Sequence, residues 1–298
     1  MSEKKHACPL CGFSECTEKI TYSSILNLPD HSESRVMKCD KCGGLYLYPY
    51  ISEKELSLMY GAAYFTGKNS DSKDWKIPAS EEDFDAAYSA NRKQKFIETV
   101  VELKSMKPTA RTILDIGAAT GDFLAIARDY DLEVEGIELS NYAAEMAMRK
   151  YGMFLHKMNV LDYSSDRGFD LIHMNHVFEH FPSPRLVAEK LYELTNIGGL
   201  VYIEVPFQFN IVELLKYKFS KWRQPFNVFS VHHPVFYRPK TLIRLMADHG
   251  FECVQIRLFR FSRYPTNSFM KYMKGVFWMF ATLFGQGTQI ETVFRRVK

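Results

Sequence analysis

The chain has 298 residues, 46% of them hydrophobic, and a formal net charge of +3. That length and composition suit one large domain plus a small one, and the charge is too small for a dedicated nucleic-acid binder. Met1 to His6 does not read as a signal sequence, and no apolar run reaches the roughly 18 residues needed to span a bilayer, so a cytoplasmic protein is expected.

Five of the six cysteines, Cys8, Cys11, Cys16, Cys39 and Cys42, lie near the start; Cys253 lies far downstream. Cys8-Pro-Leu-Cys11 and Cys39-Asp-Lys-Cys42 are two knuckles, each presenting two thiolates from one tight turn. Two such turns make a tetrahedral Zn²⁺ site. A redox pair is the lesser reading. Gly12 and Gly43 follow the knuckles, where the turn needs relaxed backbone. The segment from Tyr22 to Lys38 can form the hairpin of a zinc ribbon, with Cys16 as a buried spare. A closed four-thiolate site has no open position, so the ion is expected to fold the module and do no chemistry.

Ser52 with Glu55 reads as a capping box opening a helix that places Leu56, Met59 and Tyr60 on one face. Gly67 to Glu82 is polar and reads as a loop. A helix from about Asp83 to Met106 follows, carrying Tyr88, Asn91 and Arg92.

From here strand and helix patterns alternate, which predicts a parallel sheet with helices on both faces. Ile113 to Ile116 is a short buried strand. Gly117 and Gly121 then form a tight turn into a helix that buries Phe123, Leu124 and Ala127. The turn is expected to point N–H groups at a ligand above the strand. The loop lacks the Lys-Ser/Thr of a phosphate loop and the third glycine of a dinucleotide fingerprint. Asp115 would repel a pyrophosphate and welcome an ammonium group. The second strand, Glu133 to Glu138, ends in an acid about twenty residues after the glycine loop, placed to accept from both ribose hydroxyls. Ser140 is expected to cap the helix from Tyr142 to Tyr151, and Phe154 to Met158 to form the third strand.

Phe169 to Met174 reads as the fourth strand, running into Asn175-His176-Val177-Phe178-Glu179-His180. Glu179 and His180 are expected one helical turn past Asn175 and His176. Leu200 to Val205 is the fifth strand. The aromatic and basic stretch 207–231 reads as an inserted lid, followed by His232-His233. Pro239 and Thr241 open a helix that ends at Gly250, and Glu252 to Phe259 is the sixth strand. Ser268 to Phe284 is apolar at helical spacing and too short to span a membrane; it could meet a partner subunit, the domain itself or a membrane surface. Gln289 to Arg296 alternates and is expected as an antiparallel seventh strand.

Asp-Ile-Gly-Ala-Ala-Thr-Gly-Asp, from Asp115, resembles the first motif of class I S-adenosylmethionine-dependent methyltransferases. The stretch from Asn175 to Pro182 resembles their fourth motif and its Glu-His pair. The cysteine knuckles with Gly-Leu-Tyr, the following helix and Tyr64-Phe65 resemble the lead-in of bacterial methyltransferases with an N-terminal zinc ribbon. The resemblance implies a seven-stranded Rossmann-like sheet with an antiparallel last strand, preceded by that ribbon. The expected division is ribbon 1–50, helical cover 51–106 and methyltransferase domain 107–298, with insertions at about 207–231 and 265–286.

It further implies a cofactor site of Asp115, Gly117, Ala118, Gly121, Glu138, Leu139, Leu161, Asp162 and Asn175, in which Leu161 and Asp162 sit where relatives read adenine. Tyr64, Tyr88, Arg92 and His233 are the residues expected at the acceptor. His180 suits a general base because its ordinary pKa lies near working pH. Glu179 would orient it or act itself, with His176 and His232 as further candidates. The expected reaction is methylation of a small molecule, such as a sugar of surface-glycan or secondary metabolism. The alternatives are an rRNA methyltransferase and a zinc-ribbon binding protein with an inert methyltransferase-like domain. The acceptor and the atom methylated are not legible.

Overall fold

A computed structural model describes residues 7–23, 33–49, 90–211, 214, 218, 233–259 and 287–297. Strand β1 (Cys16–Ser23) pairs antiparallel with β2 (Glu33–Cys39), which pairs antiparallel with β3 (Leu45–Tyr48). The hairpin expected between the knuckles is therefore present, with an irregularity in β1 between Glu18 and Ile20. Cys16 opens β1 opposite Cys39 and is half-buried, not buried as expected. A fourth strand completes this sheet from far along the chain: β8 (Val235–Phe236) pairs antiparallel with β3.

The second sheet has the order β5-β4-β6-β7-β10-β9, built from β4 (Thr112–Ile116), β5 (Glu133–Ile137), β6 (Phe169–Asn175), β7 (Thr195–Pro206), β9 (Phe251–Phe259) and β10 (Gln289–Arg296). Both β5 and β6 run parallel to β4. Ile113, Leu114 and Ile116 are all buried, as in a strand covered on both faces. Between β7 and β10, Phe207 N donates to Thr288 O and Thr292 Oγ1 donates to Ile203 O. Residue numbers run in opposite senses across that pair, as an antiparallel last strand requires.

The helices are α1 (Ala90–Met106), α2 (Asp122–Asp129), α3 (Asn141–Tyr151), α4 (Pro184–Leu194) and α5 (Pro239–Asp248). Ser140 caps α3 through its hydroxyl, which accepts from Ala143 N at 3.4 Å, and Gly152 ends it at φ 63°. Gly136 lies where α2 meets the sheet: a Cβ there would come within 2.7 Å of both Leu124 and Leu155.

Two expectations change. Phe154 to Met158 is not a strand; His156 alone makes a parallel bridge, to Ile137. His156 exchanges backbone bonds with Gly136 and Glu138, after which Met158 N turns back onto His156 O and pairing stops. Glu179 and His180 lie on a short 3-10 turn, Phe178–His180, in place of an α-helix.

By packing, the chain forms two compact units. One comprises residues 1–51, 176–188 and 203–294, and the other 52–175, 189–202 and 295–298. The first holds the cysteine knuckles and the second the glycine loop. Ser52 to Tyr64, the expected 67–82 loop, most of the expected lid and the helix expected over 268–284 lie outside the described residues. Phe207 and Phe209, where the lid was expected to begin, are each only 6% exposed.

Candidate functional site

In the glycine-loop unit, β4 delivers Asp115 and the turn follows at once. Gly117, Ala119 and Gly121 all have positive φ, at 77°, 47° and 79°. Glycine adopts that conformation without penalty; at Gly121 a Cβ would also meet Ala147 Cβ at 3.1 Å. The N–H groups of Gly117 and Ala118 do not face outward as expected. Both donate to Ile137 O, at 2.8 and 3.0 Å, and so tie the loop to β5.

Glu138, at the end of β5, closes the same loop. Its Oε2 accepts from Ala119 N at 2.9 Å and its Oε1 from Ser140 N at 2.8 Å. The residue is 8% exposed, and burial raises its carboxyl pKa against the pull of these N–H groups. A carboxylate offers about four lone-pair positions, so roughly two remain for a ligand's hydroxyls. Leu139 beside it is 51% exposed. Leu161 and Asp162 lie on a 3-10 turn whose N–H groups are taken by Asn159; the Asp162 residue is exposed. Asn175 ends β6 with a buried Oδ1 that has no hydrogen-bond partner among the described residues.

Asp115 itself is 3% exposed and faces His173, whose Nδ1 lies 2.7 Å from Asp115 Oδ1. The two residues are register partners in β4 and β6. Burial raises the Asp115 carboxyl and His173 pulls it back. His173 stacks on Phe123 with centroids 3.6 Å apart, and also on Tyr202. His173 was not among the expected site residues. The signal was present: Asp115 and His173 each sit between apolar neighbours in a buried strand, and a buried polar group needs a partner.

In the other unit, Cys8, Cys11, Cys39 and Cys42 bring their sulfurs within 4.8 Å of one another. Cys8 and Cys42 Sγ are 3.7 Å apart, and Cys11 and Cys39 Sγ 3.5 Å. Four sulfurs about 2.3 Å from one tetrahedral ion would stand about 3.8 Å apart, so the set fits Zn²⁺. Gly12 and Gly43 have φ 73° and 72° and donate back to Cys8 O and Cys39 O, the turn each knuckle needs.

The same unit gathers a carboxylate and three imidazoles. Glu179 is 1% exposed, and its Oε1 lies 3.2 Å from His176 Nδ1, 3.9 Å from His180 Nε2 and 4.0 Å from His233 Nε2. His176 follows β6 with φ 55°, a strained conformation for a side-chain-bearing residue, and its N–H donates to Glu204 O. Its Nε2 lies 3.7 Å from Glu204 Oε1. Tyr237 is buried nearby; burial and the Glu179 charge push its hydroxyl pKa well up. Glu204 was also missed, although an acid within the apolar Leu200–Val205 run carries the same signal as His173.

Three expected residues, Tyr64, Tyr88 and His232, lie outside the described residues. Arg92 sits on α1 with its guanidinium 5.8 Å from the Phe96 ring centroid.

Comparison with known proteins places this architecture. The family model described as a methyltransferase domain matches residues 88–256. An uncharacterized methyltransferase of Mycobacterium leprae is 27% identical over 100 residues, 32% of this chain; the match spans only 37% of that relative's length. Among solved structures, magnesium protoporphyrin IX methyltransferase from Synechocystis PCC 6803, with bound S-adenosylhomocysteine, matches with TM-score 0.52 and 10% identity over 82% of this chain and 98% of its own. A Listeria monocytogenes structure described as an S-adenosylmethionine-dependent methyltransferase matches with TM-score 0.51 and 14% identity, over 68% of this chain and 99% of its own. At such identities the structural likeness speaks for the fold, and the family model speaks for the sequence. The chain belongs to this methyltransferase-domain family, with the fold of the class I S-adenosylmethionine-dependent enzymes.

Proposed function

We propose that this chain transfers a methyl group from S-adenosylmethionine to a small-molecule acceptor, a sugar or related intermediate of surface-glycan or secondary metabolism. The reading is carried by Glu138, held across the glycine loop by Ala119 and Ser140 with acceptor capacity to spare. When bound, S-adenosylmethionine supplies an electrophilic methyl group. Glu138 accepts from the ribose hydroxyls, and Asp115 favours the ammonium end. Gly117, Ala118 and Gly121 let backbone approach closely. Leu139 and Leu161 flank the adenine, Asp162 accepts from its amine, and Asn175 Oδ1 accepts a further donor. Zn²⁺ in the four-thiolate site has a structural role.

The Glu179 cluster serves the acceptor, supported by its three imidazoles around one buried carboxylate. Tyr64, Tyr88, Arg92 and His233 hold the acceptor. His180 takes the acceptor's proton, with Glu179 stabilising the imidazolium; His176 and His232 stand by. The new bond to the acceptor forms as the bond from sulfur to methyl breaks, and that electron pair stays on sulfur.

Positioned acid–base groups contribute about 10²–10⁴-fold. His180→Ala should therefore lower turnover by about that factor while calorimetry shows unchanged affinity for S-adenosylhomocysteine. Unchanged turnover would remove His180 from the reaction, and native protein that binds neither donor nor product would end the methyl-transfer reading.

A further inference from the structure

Glu179 is a buried carboxylate without a lysine or arginine partner among the described residues; its ion-pair partners are His176, His180 and His233. Its Oε2 is buried with no hydrogen bond among the described residues. A buried carboxylate short of hydrogen bonds is costly, and the usual remedies are a cation or a metal.

The imidazoles are set for the second remedy. His233 Nδ1 lies 2.9 Å from Gln208 Oε1. A side-chain carbonyl oxygen can only accept, so Nδ1 carries a proton, which leaves Nε2 as the ligating nitrogen of the neutral ring. That Nε2 is the atom facing Glu179 Oε1, 4.0 Å away. His180 turns its own Nε2 to the same oxygen, its ring 4.7 Å from that of His233. Glu204, 3% exposed, adds a second buried acid behind His176. One ligand atom from each of Glu179, His180 and His233 lies within 4.8 Å of the others. Ligands about 2.0–2.2 Å from a shared tetrahedral ion stand about 3.3–3.6 Å apart; Glu179 Oε1 at 3.9 Å from His180 Nε2 and 4.0 Å from His233 Nε2 needs only a small contraction to reach that spacing.

We infer that Glu179, His180 and His233 form a second metal site, distinct from the cysteine site, that takes a divalent first-row transition ion. Two imidazoles and one carboxylate favour such an ion over Mg²⁺ or Ca²⁺, which prefer all-oxygen shells. Three protein ligands leave positions open to oxygen atoms of an acceptor. Gln208 is then the positioning residue that fixes the His233 tautomer, the part a carbonyl plays behind a ligating histidine. The inference rests on reading this cluster as the acceptor's site. It alters one assignment there: with an ion bound, His180 is a ligand, and His176, flanked by Glu204, is left to take the proton.

The test is metal stoichiometry, which does not depend on turnover. Full-length protein with its thiolates saturated by Zn²⁺ is titrated with Co²⁺ and followed by its visible absorption and by elemental analysis after dialysis. One further equivalent is expected, with the spectrum of nitrogen and oxygen ligands. Glu179→Gln should abolish that equivalent and Gln208→Ala should weaken it about tenfold. Both variants should keep S-adenosylhomocysteine affinity, which reports folding and tests the methyltransferase reading separately. Only the cysteine-bound ion in the native protein, or Co²⁺ binding indifferent to Glu179→Gln, overturns the site.

Discussion

At the scale of single residues, the pairing of Asp115 with His173 shows how this fold places charge beneath a glycine loop. Burial alone would favour a neutral Asp115; the imidazole 2.7 Å away favours the charged form. His173→Phe keeps the stack on Phe123 and removes the N–H. Removing one partner of a buried pair costs about 3 kcal/mol or more of stability, because the survivor is left uncompensated. The sign of the pH effect follows. Without His173 the Asp115 carboxyl moves further up, so at a given pH more of it is protonated and less able to meet an ammonium group. S-Adenosylhomocysteine affinity of the variant should therefore rise more steeply as pH is raised through neutrality than native affinity does. Calorimetry across that range decides it; parallel profiles would show that Asp115 does not meet the ligand's ammonium.

Elements are joined in this sheet by side chains at strand ends as well as by ladder bonds. Asp170, near the start of β6, accepts from Arg111 N at 2.8 Å and Thr112 N at 3.4 Å with one oxygen, and from Asn196 Nδ2 at 3.2 Å with the other. It thus ties the entry of β4 and the start of β7 to β6. Burial pushes its carboxyl pKa up, but the Arg111 N–H, the Asn196 amide, the Lys107 charge and the Thr112 N–H outweigh that and hold it below the ordinary range. A lowered folded-state pKa gives stability that is present above the unfolded value, about 3.9, and lost as pH falls through the folded value. Asp170→Asn should cost about 1.5–3 kcal/mol near neutrality, the worth of hydrogen bonds to a charged group. Urea unfolding of the two proteins should then converge as pH drops below about 3.9. A gap that persists into acid would mean that shape, not charge, makes the tie.

For the whole molecule, legibility followed the range of the interaction. The knuckles, the β4 strand and its loop, the Ser140 cap and the last strand are local patterns of spacing, burial or alternation, and each could be read directly. Phe154 to Met158 shows the limit: it falls where a third strand is expected after a helix, yet its pairing is ended by a turn at Met158 that hydropathy does not encode. Glu204, Gln208 and His173 join the site only through contacts 25 or more residues away in the chain, Glu204 with His176 being one such case. The pairing of β3 with β8 was invisible for the same reason, since Leu45 meets Phe236 and Tyr46 meets Val235 across most of the chain. That pairing would extend the reach of a metal held by the knuckles. Leu47 N also donates to Pro234 O at 2.9 Å, and Tyr46 and Phe236 are 0% and 1% exposed. Structural zinc contributes about 10–16 kcal/mol of apparent binding free energy, so its loss should unfold whatever leans on the knuckles. Stripping the ion with a chelator should therefore raise hydrogen exchange in residues 33–48 and 233–248 together, while β4 and β5 stay protected. Mass spectrometry of proteolytic fragments resolves these segments. Exchange confined to residues 7–42 would show that β8 holds without the ribbon, and that the zinc folds a separable module.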